Sequence, residues 1–379
     1  MPVQPKRTRL YSAMLIALLF VLAAWSQPSA AAVQPVKIHV HYDTGWGNSL
    51  TIRGSAAPLS WTTGTAMTWT SGNVWVWEAP STLQSFEFKL LINDTKWSTG
   101  SNYKVTTTSP RSIHVYPFFG AAQGRMASIA NFFSPQLNNY RNIILYLPPS
   151  YSENAAKRYP VMYMHDGQNL FNAQTAFGGV EWQVDETLNR LIGQGTVRET
   201  IVVGIYNTAN RMSEYTPSVD PQYGGGNANA YLDFIQQTLK PYINANYRTL
   251  TATQDTMMMG SSLGGLLSCY AGWTRNTVYG GVGCMSSSFW WDGEEFTRTV
   301  EAHQGKKGGR FYMDAGGNND GATQTARFRD AMLADGYTSG SDLMHVYDPS
   351  GSHNESSWAR RLPVPLEFLL PVRLEIRTQ

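Results

Sequence analysis

The pattern of apolar and polar positions changes character part-way along the chain. From residue 33 to about 118 the apolar residues alternate with polar ones in short runs, "VKIHVHY", "SLTIRG", "NVWVWEA", "SFEFKLLI" and "RSIHVYPF", separated by Gly, Asn, Ser and Thr. Short alternating runs at this spacing predict strands with one buried face, stacked as a small all-β sandwich. From about residue 122 to 379 the apolar runs become continuous: "NIILYLP" (142–148), "PVMYMHD" (160–166), "TIVVGIY" (200–206), "TMMMGS" (256–261), "GVGCMS" (281–286), "RFYMDAG" (310–316) and "LMHVYD" (343–348). Helical periods fall between them, near 183–193, 227–245, 263–273, 322–335 and 355–369. Buried-type strands alternating with helices predict a doubly wound, mostly parallel α/β sheet covered on both faces. Chemistry in such sheets sits in the loops at the carboxyl ends of the strands. The stretch "PFFGAAQGRMAS" reads as the join.

The first 32 residues stand outside both patterns. Lys6, Arg7 and Arg9 precede an apolar run from Ala13 to Trp25, and the small residues Ala30 to Ala32 follow. This layout predicts a secretory signal peptide rather than a membrane anchor, and so a secreted or periplasmic protein. No later segment is long and apolar enough to insert stably in a membrane. The formal charge is +2, and without the basic leader the remainder lies near about −1, which argues against a nucleic-acid or anionic-lipid partner. Cys269 and Cys284, the two cysteines, both fall in core-type segments, where buried free thiols are expected ahead of a bridge. The seven histidines are too scattered to suggest a metal site.

One stretch bears directly on chemistry. "MMMGSSLGGL" contains the match Gly260-Ser261-Ser262-Leu263-Gly264, which singles out Ser262 over its neighbour Ser261. A strand runs into Ser262 and a helical pattern leaves it, the setting of a sharp strand-to-helix turn that exposes a nucleophilic hydroxyl. His353, past the last predicted strand and before the final helix, can reach a serine at a strand end as its base. An acid between them would hold the imidazole tautomer; "FYMDAGGNNDG" offers Asp320 and Asp314, with Asp320 favoured and Asp314 still open. Backbone N–H groups of Leu263, after the nucleophile, and Gln168, in the loop after "VMYMHDGQ", would form the oxyanion hole. Tyr215, Trp182, Trp290 and Trp291 are expected in loops at the same sheet edge, either lining an acyl or sugar pocket or as partly exposed core aromatics.

These residues resemble a known family. "YPVMYMHDGQNLF", "FGGVEWQVDETL", "MMMGSSLGGLLSCYAG", "GCMSSSFWW", "MDAGGNND" and "GSHNESSWARRLPVPLEFLL" are similar to the esterase D-like and enterochelin esterase-like branch of the α/β-hydrolases, related to carbohydrate esterases. The resemblance implies an α/β-hydrolase fold with Ser262 as nucleophile and His353 as base, and places the acid at Asp320, although an extra glycine in "GGNND" keeps Asp314 in play. It further implies a serine esterase needing no cofactor. Its substrates would be small-molecule or polysaccharide esters with acyl groups on carbohydrate, phenolic or siderophore-like alcohols. Acyl transfer to a sugar hydroxyl is the alternative within the fold; a non-catalytic glucan-binding protein is the alternative outside it. Residues 33–118 resemble starch-binding-type carbohydrate modules more loosely. That likeness makes Trp61, Trp97, Lys89 and Asn102 candidates for binding an α-glucan, the module's acidic-Pro-Asn pattern being absent.

Overall fold

The computed structural model describes residues 1–3 and 34–372. Apart from its first three residues, the predicted leader lies outside the described residues.

Nine short strands come first: β1 (Lys37–His41), β2 (Leu50–Gly54), β3 (Thr65–Ala66), β4 (Thr68–Thr70) and β5 (Val74–Glu78). They continue with β6 (Phe86–Ile92), β7 (Lys96–Trp97), β8 (Tyr103–Val105) and β9 (Ser112–Val115). They form two sheets, one in the order β4-β5-β1-β9 and the other β3-β2-β6-β7 with β8 also paired to β6. The alternation in the sequence is the reason: Ile38 and Val40 of β1 and Phe86, Phe88 and Leu90 of β6 turn inward to a shared apolar core.

The second region is an eight-stranded sheet. It uses β10 (Arg125–Ser134), β11 (Asn139–Leu147), β12 (Val161–His165), β13 (Ile201–Ile205), β16 (Thr256–Ser261), β17 (Gly281–Met285), β18 (Arg310–Asn318) and β19 (Leu343–Ser352). A two-stranded hairpin, β14 (Val219–Asp220) and β15 (Gly224–Gly225), stands apart from it. The sheet order is β10-β11-β13-β12-β16-β17-β18-β19. Pairs from β13 onward are parallel, and β10 and β11 are antiparallel additions at one edge. Every residue of β12, β13, β16 and β17 is buried, as continuous apolar runs require when helices cover both faces. The helices are α1 (Val184–Gln194), α2 (Arg211–Glu214), α3 (Ala228–Phe234), α4 (Lys240–Asn246), α5 (Leu263–Thr274), α6 (Trp291–Glu301), α7 (Ala322–Ala334), α8 (Glu355–Arg361) and α9 (Pro363–Leu369). No helix among the described residues is long and apolar enough to cross a membrane.

Two expectations change. Cys269 and Cys284 form a disulfide, not free thiols: α5 packs directly on β17 and brings their Cα atoms to 5.7 Å. The run beginning at Trp291 is a helix, α6, where the sequence suggested a loop; three residues in left-handed conformation, Asp292 to Glu294, interrupt its first turn and obscure the period.

The sandwich and the α/β sheet pack as one compact unit. Glu153 accepts from Tyr42 Oη at 2.7 Å and from the Phe119 N–H at 2.6 Å. Asn154 donates to the carbonyls of His41 and Pro117 at 2.9 and 3.0 Å.

Candidate active site

Three parallel strand ends build the site. Strand β16 ends at Ser261, and Ser262 turns the chain into α5 with φ 57° and ψ −124°. A non-glycine residue in that region costs of order 1–3 kcal/mol and persists only where its surroundings fix it. The flanking glycines supply the clearance. A Cβ on Gly260 would stand 2.8 Å from the Gly264 backbone and 2.9 Å from His165. The Ser262 N–H donates to Met285 O and its carbonyl accepts from the Ser288 N–H, both at 3.0 Å, which ties the turn to the end of β17.

His353 reaches Ser262 from the side of β19, an edge strand of the sheet. It lies between β19 and α8, and the helix is capped by Asn354, whose side chain accepts from Ser357 N at 3.0 Å. The cap fixes where the chain leaves the strand, and so where the imidazole hangs. His353 Nε2 is 2.9 Å from Ser262 Oγ, and His353 Nδ1 is 2.6 Å from Asp320 Oδ1. The Asp320 side chain is buried and that of His353 is 38% exposed, so the row runs from interior to surface.

Asp320 is held from several directions. Its Oδ2 accepts from Ser286 Oγ at 2.6 Å, the Gly316 N–H at 2.5 Å and Arg361 Nη2 at 3.2 Å. Gly316 can donate because it lacks a side chain: a Cβ there would meet the Gly351 backbone at 2.4 Å. Burial pushes the Asp320 carboxyl up, but hydrogen bonds from His353, Ser286 and Gly316 hold it below the usual carboxylate range. Asp314 is differently placed. It accepts from the Ser286 N–H at 3.0 Å and Tyr312 Oη at 2.8 Å, and makes no bond to His353. Burial raises its carboxyl to about 6, against the pull of Arg361 and of those two hydrogen bonds. Of the two aspartates, Asp320 is the one joined to the histidine.

The two N–H groups expected to face an oxyanion lie on the neighbouring strand ends. Leu263 opens α5, and Gln168 lies in a single 3-10 turn, Gly167–Asn169, after β12. Neither N–H has an acceptor among the described residues. Asp166 turns the chain into that 3-10 turn with φ 55°. It is clamped by Arg211 through two bonds of 2.7 Å and by Asn207 at 2.6 Å. The sequence alone assigns no role to Arg211, Asn207, Ser286 or Arg361. The bidentate pair and the shared guanidinium join residues 45 and 41 positions apart, and no local spacing signals such contacts.

The aromatic candidates separate. Tyr215, Trp182 and Trp291 are buried in the core, while Trp290 is 44% exposed beside Tyr223, their ring centroids 6.0 Å apart. In the sandwich, Trp61 and Trp97 are 37% and 41% exposed, with ring centroids 6.5 Å apart and planes inclined by 34°. Lys89 donates to Gly100 O at 2.5 Å and Asn102 to Glu87 at 3.2 Å, so both are engaged within the protein. Among the described residues, Glu181, Asp185 and Glu186 are the one group of acidic or imidazole ligands within 4.8 Å of one another. Burial raises Asp185 to about 7, helped by Glu186, which favours a proton there.

A family model described as "Putative esterase" matches residues 134–369. The chain belongs to this esterase family. It is similar to YbbA, an uncharacterized protein of Bacillus subtilis, at 32% identity over 183 residues, 46% of this chain and 68% of that protein. Among solved structures, a ferulic acid esterase superposes with TM-score 0.53 and 21% identity, over 65% of this chain and 98% of that one. The enterobactin esterase FES of Shigella flexneri, solved in the presence of enterobactin, superposes with TM-score 0.54 and 16% identity. That match covers 85% of this chain and 87% of the other, more than the α/β region alone. The likeness to both is one of fold: an α/β-hydrolase preceded by β-sheets in this chain.

Proposed function

We propose that this esterase-family hydrolase cleaves carboxylic esters through an acyl-enzyme on Ser262. The observation that carries the reading is the unbroken row Ser262 Oγ, His353, Asp320, with contacts of 2.9 and 2.6 Å. His353 Nε2 takes the Ser262 proton as Oγ attacks the ester carbonyl, and the carbonyl oxygen becomes an oxyanion facing the N–H groups of Leu263 and Gln168. The C–O bond to the alcohol breaks as His353 passes the proton to the leaving oxygen. Water then gives a proton to His353 and attacks the acyl carbon. Ser262 recovers its proton and a carboxylic acid leaves. Asp320 stays ionised throughout and steadies the imidazolium.

The substrates we assign are acyl groups on carbohydrate or on small phenolic or siderophore-like esters, outside the cytoplasm. The fold shared with ferulic acid and enterobactin esterases supports the substrate class, and the disulfide suits an oxidising compartment. A second role follows from the exposed pair Trp61 and Trp97, which offers apolar faces to the rings of an α-glucan. The test is a panel of acetyl, butyryl and feruloyl esters with sugar leaving groups, run with and without an acceptor sugar. Free acid as the product in both conditions supports hydrolysis. Acylated acceptor in its place would make the protein a transferase, and no turnover of any ester would leave only the binding role.

A further inference from the structure

Helix α8 carries two side chains that act on the catalytic row from behind. Trp358 and Arg361 are three positions apart, so they leave the same face of the helix. The indole of Trp358 meets the His353 ring edge-on, with centroids 5.3 Å apart and planes at 85°. Trp358 Nε1 donates to Ser286 Oγ at 2.9 Å, and Arg361 Nη2 donates to the same oxygen at 2.5 Å. A hydroxyl has one proton and two lone pairs. With both lone pairs occupied, the Ser286 proton is committed to Asp320 Oδ2, 2.6 Å away. Arg361 Nη2 also lies 3.2 Å from Asp320 Oδ2 and 3.2 Å from Asp314 Oδ1.

We propose that Arg361, with Ser286 as its relay, is a positioning residue for ester hydrolysis: one buried guanidinium divided between Asp314 and Asp320 keeps Asp320 ionised and aimed at His353 Nδ1. The proposal rests on the reading of Ser262, His353 and Asp320 as the catalytic row. Both aspartate side chains are buried, and two buried carboxylates without a cation force a proton onto the pair. Tyr312 and Asp314 face this unit from β18, Ser286 from the end of β17, Asp348 from β19, His353 from its loop, and Trp358 and Arg361 from α8. Arg360 pairs with Asp348, leaving Arg361 as the cation that reaches both inner carboxylates. The asymmetry of the pair fits this division: Asp314 is the one raised to about 6 by burial, so an incoming proton settles there first.

The test compares Arg361→Gln, Arg361→Lys and Ser286→Ala in the full chain, measuring kcat and KM on p-nitrophenyl butyrate across the pH range. Arg361→Gln should lower kcat about tenfold, the value of a hydrogen bond to a charged group, with KM unchanged. Without the cation both carboxylates, Asp320 included, take up a proton more readily, so the acid limb of the kcat profile should move up by about one pH unit. Arg361→Lys should return the limb to its wild-type position while recovering only part of kcat. Ser286→Ala should lower kcat through loss of one donor and shift the limb less. Because Ser286→Ala keeps the cation, it stays informative if Arg361→Gln does not fold. Wild-type kcat in Ser286→Ala, or equal losses in Gln and Lys variants with an unmoved acid limb, would overturn the proposal. A wild-type enzyme whose Ser262 is not labelled by a fluorophosphonate would instead overturn the underlying catalytic reading.

Discussion

The strands of the two regions of this chain differ in whether they have a free face. In the sandwich, β5 buries Trp75 and Trp77 and leaves Val74 and Val76 only partly covered, while Trp61 and Trp97 are 37% and 41% exposed. Strand architecture explains the alternation. A sandwich strand has one inner and one outer face, so β1 buries Ile38 and Val40 and turns His39 and His41 away from the core. Strands β12, β13 and β16 have no free face, and their side chains are fully enclosed. A ligand of the sandwich would therefore meet a face, whereas side chains of the α/β sheet reach solvent at strand ends. Ser262, Asp320 and Gln168 all follow such ends.

The largest effect that can test this contrast is at the acid. Asp320→Asn should keep the fold but leave His353 without its anchor, a loss of about 10⁴ in kcat by analogy with the same change in a serine protease. Asp314→Asn should cost far less activity. A folded Asp320→Asn enzyme with near-normal turnover beside an inactive, folded Asp314→Asn would reverse the two roles.

Stability should separate the same two carboxylates. In the folded chain Asp314 holds its proton up to about pH 6, whereas an unfolded aspartate releases it near its ordinary value. Between these values the folded state binds more protons, so this group's contribution to stability is lost as pH rises through the window. Asp320, held low, contributes in the opposite sense, its share lost as pH falls. Thermal melts across this range should show a flatter decline in Asp314→Asn than in wild type. An identical decline would remove Asp314 as its source.

The disulfide belongs wholly to the α/β region. It closes a separation of 15 residues, for which chain entropy gives about 3 kcal/mol. Replacing Cys269 and Cys284 together by Ala should lower the unfolding free energy by an amount of that order in denaturant titrations, while an unchanged midpoint would make the bridge irrelevant to stability.

The smallest effect on ester turnover is expected in the sandwich. Trp61→Ala with Trp97→Ala should leave hydrolysis of a soluble ester unchanged and abolish retardation of the full chain in native gels containing starch. A wild-type protein that migrates normally at every starch concentration would leave the sandwich without a glucan-binding role.

Much of this was legible along the sequence because the decisive signals are local. The strand Thr256–Ser261 follows from a continuous apolar run, and its turn into the helix from Leu263 from the five residues Gly260 to Gly264. The place of His353, between the last strand and the helix that follows it, is equally local. What remained hidden was long-range: Ser286 and Arg361 are ordinary in sequence and acquire meaning only when β17, β18 and α8 converge on Asp320. The disulfide is hidden for the same reason: burial alone predicts free thiols, and only the packing of α5 on β17 brings the two cysteines together. Trp182, Tyr215 and Trp291 could not be told from pocket aromatics because apolar rings suit a core and a cleft equally well.

We propose that Ser262, and not Ser261, is the nucleophile. Ser262 stands at the turn with its Oγ 2.9 Å from His353, whereas Ser261 is the last, buried residue of β16. The direct measurement is covalent labelling by a fluorophosphonate, with the modified residue mapped by mass spectrometry in wild type, Ser261→Ala and Ser262→Ala. A single adduct on Ser262 is expected in the first two proteins and none in the third. An adduct that persists in Ser262→Ala, or that maps to Ser261 in wild type, would contradict it.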